Sequence, residues 1–420
     1  MHTLSGRFIV IGIILFIFLL LDWYVYQGVR TLTMHSSDTS RKWTAIIYWT
    51  VTVVSVLLLL VLLFIGPAKL GMAARSFVII FLFANLFFKL FFTVVLLLED
   101  ISRLIRWLVS LVANPSPSGE GTKIPRSQFI SAIGLTLASI PFVSMIYGVL
   151  VGAHDYRVRK IKIALKNLPS SFEGFKILQL SDIHSGSFTN QELVQKGIDM
   201  VKAQKADVVF FTGDLVNNVA TEVGEYQNMF AQIKAPMGVY SVLGNHDYGD
   251  YVDWPTAIAK RDNLDHLKTI HKAMGWDLLM NEHRILRKGD DKIAVVGIEN
   301  WGAKGRFPKY GKMKDAVKGM EAVPVKLLLS HDPSHWDAQV IPEYPDIDIM
   351  FAGHTHGMQF GVEIPGLIKW SPVKYMYEQW GGLYQKGKQY LYVNRGFGYI
   401  GFPGRIGMPP EITLVELVRA

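Results

Sequence analysis

The sequence predicts a bundle of membrane-spanning helices followed by an α/β domain, and three observations carry that prediction. Half of the 420 residues are hydrophobic, and the long apolar runs are concentrated before about residue 153. Beyond that point, short apolar strands alternate with helical stretches and glycine turns, the pattern of an α/β domain. Five of the apolar strands finish in Asp, Asn or His, so polar chemistry is concentrated at strand ends. The expected division is 1–153 for the membrane region and 154–420 for the second domain.

A helix needs about 20 mostly apolar residues to cross a bilayer, because hydrocarbon offers nothing to an open backbone. Four segments qualify. The first runs from about Phe8 to Tyr26 and ends in Asp22, Trp23, Tyr24 and Tyr26, an amphipathic mixture expected at the interface. No small-residue cleavage pattern follows it, so it reads as a retained span and not as a signal peptide. The second, from about Ala45 to Ile65, contains "VLLLLVLLFI" and stops at Gly66-Pro67. The third, about Phe77 to Leu98, holds Asn85 and Lys89; an intramembrane ion marks a functional site unless the lysine merely snorkels to the interface. The fourth, about Phe129 to Val151, carries Pro141. Between the last two, "ISRLIRWLVSLV" places Ser102, Arg103, Arg106 and Ser110 along one stripe, as an interfacial helix would. Residues Asn114 to Pro125, "NPSPSGEGTKIP", then read as a flexible loop.

The chain is thus expected to be an integral, multi-pass cell-membrane protein. Its formal net charge of +8 suits anionic lipid headgroups as partners. No basic stretch interleaved with aromatics lies near the polar strand ends, so no nucleic-acid partner is expected. The Lys and Arg counts on the two sides nearly tie. If the cluster Arg157, Arg159, Lys160, Lys162 and Lys166 belongs to the folded domain, the balance tips toward an extracytoplasmic second domain. With no cysteine in the chain, disulfides, thiolate metal sites and cysteine nucleophiles are excluded.

In the second domain, "FKILQLSDIHSG" gives a strand ending in Asp182 and His184, "ADVVFFTGDLVNN" one ending in Asp214, and "GVYSVLGNHDYG" one ending in Asn245, His246 and Asp247. "VKLLLSHDPSHW" delivers His331, and "IDIMFAGHTHG" delivers His354 and His356. Ligands of α/β sheets sit beyond the carboxyl ends of the strands, where residues distant in sequence meet. Imidazole, carboxylate and amide oxygen suit borderline and harder divalent metals. Any one cluster taken alone reads equally well as a turn or helix cap; five in succession do not.

The order D-x-H, G-D, G-N-H-D, S-H, G-H-T-H resembles the calcineurin-like metallophosphoesterases over roughly Lys176 to the C-terminus. Within them the chain resembles the membrane-associated branch, in which transmembrane segments precede the phosphoesterase domain. "NRGFGYIGFPGRIGMPPEITLVEL" and "LLMNEH" are similar to that branch's ending and middle. The resemblance implies a four-layer α/β/β/α sandwich with two mixed sheets and a dinuclear centre of two divalent metal ions (Mn, Fe, Zn or Mg). It implies that Asp182, His184 and His356 hold the first metal, that Asn245, His331 and His354 hold the second, and that Asp214 bridges them. His246 would be the catalytic histidine, with Asp247 orienting it. Many relatives have a second aspartate where this chain has Asn217, which alters local hydrogen bonding and not the bridging position.

The implied reaction is hydrolysis of a phosphomonoester, phosphodiester or diphosphate by water activated between two metals. A domain tethered to the membrane reaches lipid-linked phosphates most readily, so such a substrate is expected. Arg395 and Arg405 are candidate phosphate partners, with structural ion pairing as the rival reading, and the apolar residues of "GYIGFPGRIGMPP" are a candidate acyl-binding rim, with a packed loop as the rival. Two other functions compete: a nuclease or nucleotide phosphodiesterase, and a non-enzymatic membrane sensor or scaffold with a structural metal site.

Overall fold

The computed structural model describes residues 4–66, 70, 72–113, 126–305, 307–364 and 366–420; the loop expected over residues 114–125 lies outside them. The chain forms two compact units, Met1–Tyr147 and Gly148–Ala420.

Four helices, α1 (Leu4–Leu32), α2 (Asp38–Phe64), α3 (Met72–Ala113) and α4 (Gln128–Leu150), are each long and apolar enough to cross a membrane. The Ser37 side chain accepts from the Ser40 amide and starts α2, giving one of the orphan N–H groups of the first turn a partner. The interfacial helix expected over "ISRLIRWLVSLV" is not a separate element. Neither Gly nor Pro interrupts the chain after Leu98, and α3 simply continues through it.

Lys89 does not snorkel. It is 2% exposed, and its Nζ lies 2.5 Å from Asp22 Oδ1, so Asp22 faces the bundle interior and not the interface expected for it. Thr52 donates to the same carboxylate at 2.7 Å, Tyr48 donates to it at 3.1 Å, and Asn85 donates to Ser55 at 2.7 Å. Pairing inside the bundle is the arrangement that hydrocarbon imposes on two opposite charges.

In the second unit, β1 (Arg157–Leu165), β2 (Phe175–Leu180), β3 (Val208–Phe211), β4 (Val239–Ser241), β5 (Asp277–Leu278) and β14 (Glu411–Arg419) form a mixed sheet ordered β1-β14-β2-β3-β4-β5. The second mixed sheet is ordered β12-β13-β9-β8-β7-β6, from β6 (Glu282–Lys288), β7 (Asp291–Gly297), β8 (Lys326–Leu329), β9 (Ile349–Ala352), β12 (Gly382–Lys386) and β13 (Gln389–Val393). The remaining pair, β10 (Val362–Ile364) and β11 (Ile368–Trp370), makes a separate antiparallel hairpin.

Alternation along the strands produces the layers. On β2, Phe175 and Ile177 join Val208, Phe210, Leu327, Leu329 and Phe351 in a core between the sheets. Leu178 and Leu180 turn the other way, toward Val194, Ile198 and Val201 of α5 (Gln191–Ala203) and Leu267 and Ile270 of α6 (Ala257–Met274). The second sheet's outer face, with Val296, Leu328 and Met350, buries Trp336 and Val340 of a helical turn. The result is helix, sheet, sheet, helix. In both sheets the parallel strands β2, β3 and β4, and β8 and β9, end beside one another, which brings their following loops together. β1 contains Arg157, Arg159, Lys160 and Lys162, so this basic cluster belongs to the folded domain.

Candidate metal centre

Each candidate ligand sits within a few residues of a strand's carboxyl end: Asp182 and His184 after β2, Asp214 after β3, Asn245 after β4, His331 after β8, His354 and His356 after β9. The turns that aim them are unusual. Asp182, His184, Asp214, His354 and His356 all have positive φ, between 49° and 72°, a region that costs a side-chain-bearing residue about 1–2 kcal/mol. Strain of this kind persists only where surrounding structure over-determines it, and it clusters at functional sites. Gly213 (φ 96°) is where the β3 loop touches the β4 loop; a Cβ there would collide with the backbone of Gly244.

The ligand atoms form two groups, Asp182, His184 and His356 in one and Asp214, His331 and His354 in the other, each with its atoms within 4.8 Å of one another. Asp214 joins the groups: its Oδ2 lies 3.1 Å from His331 Nε2 and 3.5 Å from His184 Nε2. In the first group, His356 Nε2 is 3.2 Å from Asp182 Oδ1 and 3.0 Å from His184 Nε2. In the second, His354 Nδ1 is 2.8 Å from Asn245 Oδ1.

The hydrogen bonds around the rings select the nitrogens that face inward. His184 Nδ1 meets the Val216 carbonyl at 3.2 Å, and His331 Nδ1 meets the Thr212 carbonyl at 2.7 Å. A carbonyl can only accept, so each Nδ1 carries the proton and each Nε2 presents a lone pair. His331 Nε2 is buried with no hydrogen-bond partner. On His354, Nε2 lies 2.9 Å from the Tyr377 hydroxyl, which donates to Asp332 Oδ2 at 3.4 Å; the hydroxyl then accepts from Nε2 and leaves Nδ1 with a lone pair. Asn245 Nδ2 donates to the Tyr251 hydroxyl at 2.8 Å, which turns its Oδ1 toward that same Nδ1. Two acceptors held 2.8 Å apart, beside an orphaned buried imidazole nitrogen, fit a bound cation and would otherwise repel or waste a hydrogen bond. The residues present therefore fit a pair of divalent ions.

Burial lowers His184 to about 3 and holds His354 and His356 below their ordinary value, so these rings stay neutral and able to ligate. Burial also works against His331's charged form, but the Asp214 carboxylate outweighs it and raises His331 to about 10, so a metal at Nε2 would have to take the place of the proton that Asp214 favours there. For Asp214 burial acts to raise the pKa, yet His331 and His246 hold it well below the ordinary carboxylate range. Burial pushes Asp182 up to about 6. The pocket thus holds negative charge most firmly on Asp214, between the two groups.

His246 is half-buried; its amide donates to Asp214 Oδ1 at 2.9 Å and its Nδ1 meets the Asn217 carbonyl at 2.6 Å. The Tyr251 ring packs 4.6 Å from it. Asp247 does not orient His246. Its buried carboxylate accepts from the amides of Asp214, Leu215, Val216 and Gly244, at 2.8 to 3.3 Å, and so clamps the β3 and β4 loops together. The Asn217 carbonyl takes the orienting role instead, while its side-chain amide donates to Ser187 at 2.9 Å.

The two candidate phosphate-binding arginines are both buried. Arg395 is 1% exposed and pairs with Glu411 at 2.5 Å and Glu363 at 3.0 Å. Arg405, equally buried, donates to the carbonyls of Gly398, Met408 and Arg395, with its Nη2 3.3 Å from His356 Nδ1. Ion pairing holds Arg395 inside the fold, with only its Nε left without a hydrogen-bond partner, and carbonyl capping holds Arg405. In the expected acyl-binding rim, Tyr399 and Met408 are buried, whereas Ile400, Phe402 and Ile406 are half-buried. Sequence reasoning missed Tyr377, Tyr251 and Asp332. Asp332 directly follows His331, but the two tyrosines sit in no recognisable pattern and only the fold brings them to the site.

Residues 6–153 match the family model described as probable calcineurin-like phosphoesterase, transmembrane domain, and residues 175–358 match that of calcineurin-like phosphoesterase. The chain is 30% identical over 290 residues to a transmembrane protein with metallophosphoesterase domain from Danio rerio, covering 67% of this chain and 62% of that protein. It is 28% identical over 307 residues to the metallophosphoesterase YkuE of Bacillus subtilis, covering 70% of this chain and 98% of that one. The UDP-2,3-diacylglucosamine pyrophosphatase of Chlamydia trachomatis is 27% identical over 334 residues, 68% of this chain and 97% of its own length.

Proposed function

This chain belongs to the calcineurin-like phosphoesterases that carry a transmembrane domain, and from that premise we propose that it is a dinuclear-metal hydrolase of a lipid-linked diphosphate. That it is a membrane protein with a metal-dependent phosphoester hydrolase domain follows from the two family matches and from its likeness to a pyrophosphatase. The lipid-linked substrate is the further step. It is supported by the four apolar helices and by similarity to an enzyme named for a diacylated sugar nucleotide.

The single observation that carries the reading is the convergence of seven donors from five strand ends on two groups joined by Asp214. Asp182, His184 and His356 would hold one ion, Asn245, His331 and His354 the other, with Asp214 serving both. When bound, such ions supply Lewis-acid polarisation of phosphoryl oxygens and activation of water. The chain's own residues do the rest. The carbonyls of Val216 and Thr212 and the Tyr377 hydroxyl fix the lone pairs of His184, His331 and His354 inward. The Asn217 carbonyl accepts from His246 Nδ1 and so aims Nε2 at the departing oxygen, to which the protonated ring would give its Nε2 proton; Tyr251 keeps the ring from swinging away. With β1 counted in the folded domain, the positive-inside balance tips toward an extracytoplasmic catalytic domain.

The test is to assay the purified full chain with Mn²⁺, Fe²⁺, Zn²⁺ or Mg²⁺ against phosphomonoesters, phosphodiesters and lipid-linked diphosphates, with single-stranded DNA alongside. Metal-dependent cleavage of the lipid-linked diphosphate is expected. Cleavage of DNA alone would move the assignment to a nuclease, and no hydrolysis of any substrate would refute it.

A further inference from the structure

The β10–β11 hairpin is amphipathic in the inverted sense. Opposed residues on an antiparallel pair share a face, and the pairs here are Val362 with Trp370, Glu363 with Lys369, and Ile364 with Ile368. The charged pair faces the domain. Glu363 bonds Arg159 at 2.5 Å and Arg395 at 3.0 Å, while the Lys369 ammonium caps the Gly381 carbonyl and sits 4.9 Å over the Trp380 ring. The apolar pairs consequently face outward, and Val362, Ile364 and Ile368 are all exposed. At the turn, Leu367 is 79% exposed, and Tyr375 and Met376 are exposed just beyond the hairpin.

A two-stranded ribbon in water buries its apolar face and exposes its charges. This one turns its charged pair toward the domain and holds the opposite orientation, so its outward apolar face calls for a partner. Its rim says which kind. Lys374 lies 5.1 Å over the Tyr375 ring, and Lys304 bonds the Met376 carbonyl at 2.6 Å. An apolar tip with a collar of Trp, Tyr and Lys is the composition of an element lying in the headgroup region of an anionic bilayer, and the four apolar helices of the same chain tie the domain to a bilayer.

We propose that the β10–β11 hairpin dips its apolar face, with Leu367 at the tip, into the surface of the lipid bilayer. The contact is a docking surface and not a second anchor. The hairpin begins six residues after His356, so docking holds the metal-ligand turn at the level of lipid phosphates. This last consequence rests on the hydrolase reading, whereas the bilayer contact does not.

The chain has no cysteine, so Leu367→Cys and Tyr375→Cys each create a single labelling site. Asp290→Cys creates a control at the exposed turn between β6 and β7. The full chain, labelled with the environment-sensitive fluorophore NBD, is reconstituted in vesicles of phosphatidylcholine and phosphatidylglycerol containing lipids brominated on the acyl chain. Labels at 367 and 375 are expected to emit blue-shifted light and to be quenched several-fold more than the label at 290. Water-like emission with equal quenching at all three sites would overturn the proposal. So would a blue shift without quenching that grows with protein density, as contact between two copies would give. The readout needs no turnover, and hydrolysis of a soluble diester by the same labelled protein reports separately on the hydrolase reading.

Discussion

Replacing Asp214 by asparagine isolates the charge at the middle of the site. The side chain keeps its shape, so Oδ1 can still accept from the His246 amide at 2.9 Å, and the Asp247 carboxylate still holds the Asp214 amide at 2.8 Å. What disappears is a buried negative charge 3.1 Å and 3.5 Å from two imidazole nitrogens on different sides. A unit charge about 4 Å from an opposite one is worth roughly 4 kcal/mol at an effective dielectric near 20. Since each ~1.4 kcal/mol is tenfold, Asp214→Asn is expected to weaken metal binding by roughly 10³-fold. Metal content of the gel-filtered protein, measured by mass spectrometry, and a Mn²⁺ titration of turnover both read this. A variant that keeps two ions per chain at an affinity within about tenfold of the wild type would show that Asp214 does not join two metals.

His246→Ala is expected to leave the metal content intact while lowering kcat by ~10²-fold or more; unchanged turnover on a poor leaving group would remove it from that role. Tyr377→Phe deletes the hydroxyl that fixes His354 Nε2 at 2.9 Å and is expected to cost about 10- to 100-fold in affinity for one metal of the pair, read by the same titration. Lys89→Met leaves Asp22 buried without its cation, a change worth about 3–5 kcal/mol. The Asp22→Asn, Lys89→Met double variant is expected to recover most of the thermal stability in detergent, and equal losses in both would refute the pairing. Burial lowers His271 from an unfolded value of 6.5 to about 3. The unfolded chain therefore takes up a proton that the folded one refuses: this contribution is complete above pH 6.5 and is lost as pH falls toward 3, about 5 kcal/mol in all. His271→Asn is expected to flatten the fall in Tm over that window, and an unchanged slope would exclude His271 as a source of acid sensitivity.

The candidate donors that the fold gathers were readable because each follows an apolar run closely, and strand ends are where α/β sheets gather side chains. The spans were readable because hydrocarbon demands length and apolarity, which composition records directly. For the arginines the sequence left two readings open, and for a definable reason. Phosphate recognition and burial against Glu411 and Glu363 use the same guanidinium chemistry, and local sequence does not reveal which partner arrives. Asp247 misled similarly, since a carboxylate beside a histidine in sequence turned instead toward four amides of neighbouring loops. Asp22 and Lys89 lie 67 residues apart, and nothing local marks them as a pair.

What the sequence determined by itself is therefore what depends on short windows: four apolar helices, alternating strands, and the residue types at their ends. Tertiary structure decided which nitrogen of each histidine faces inward, which charges neutralise one another out of solvent, and which face of the β10–β11 hairpin is left exposed. Those outcomes depend on distances between groups far apart along the chain, and pairing, burial and tautomer are fixed only when the layers close on one another.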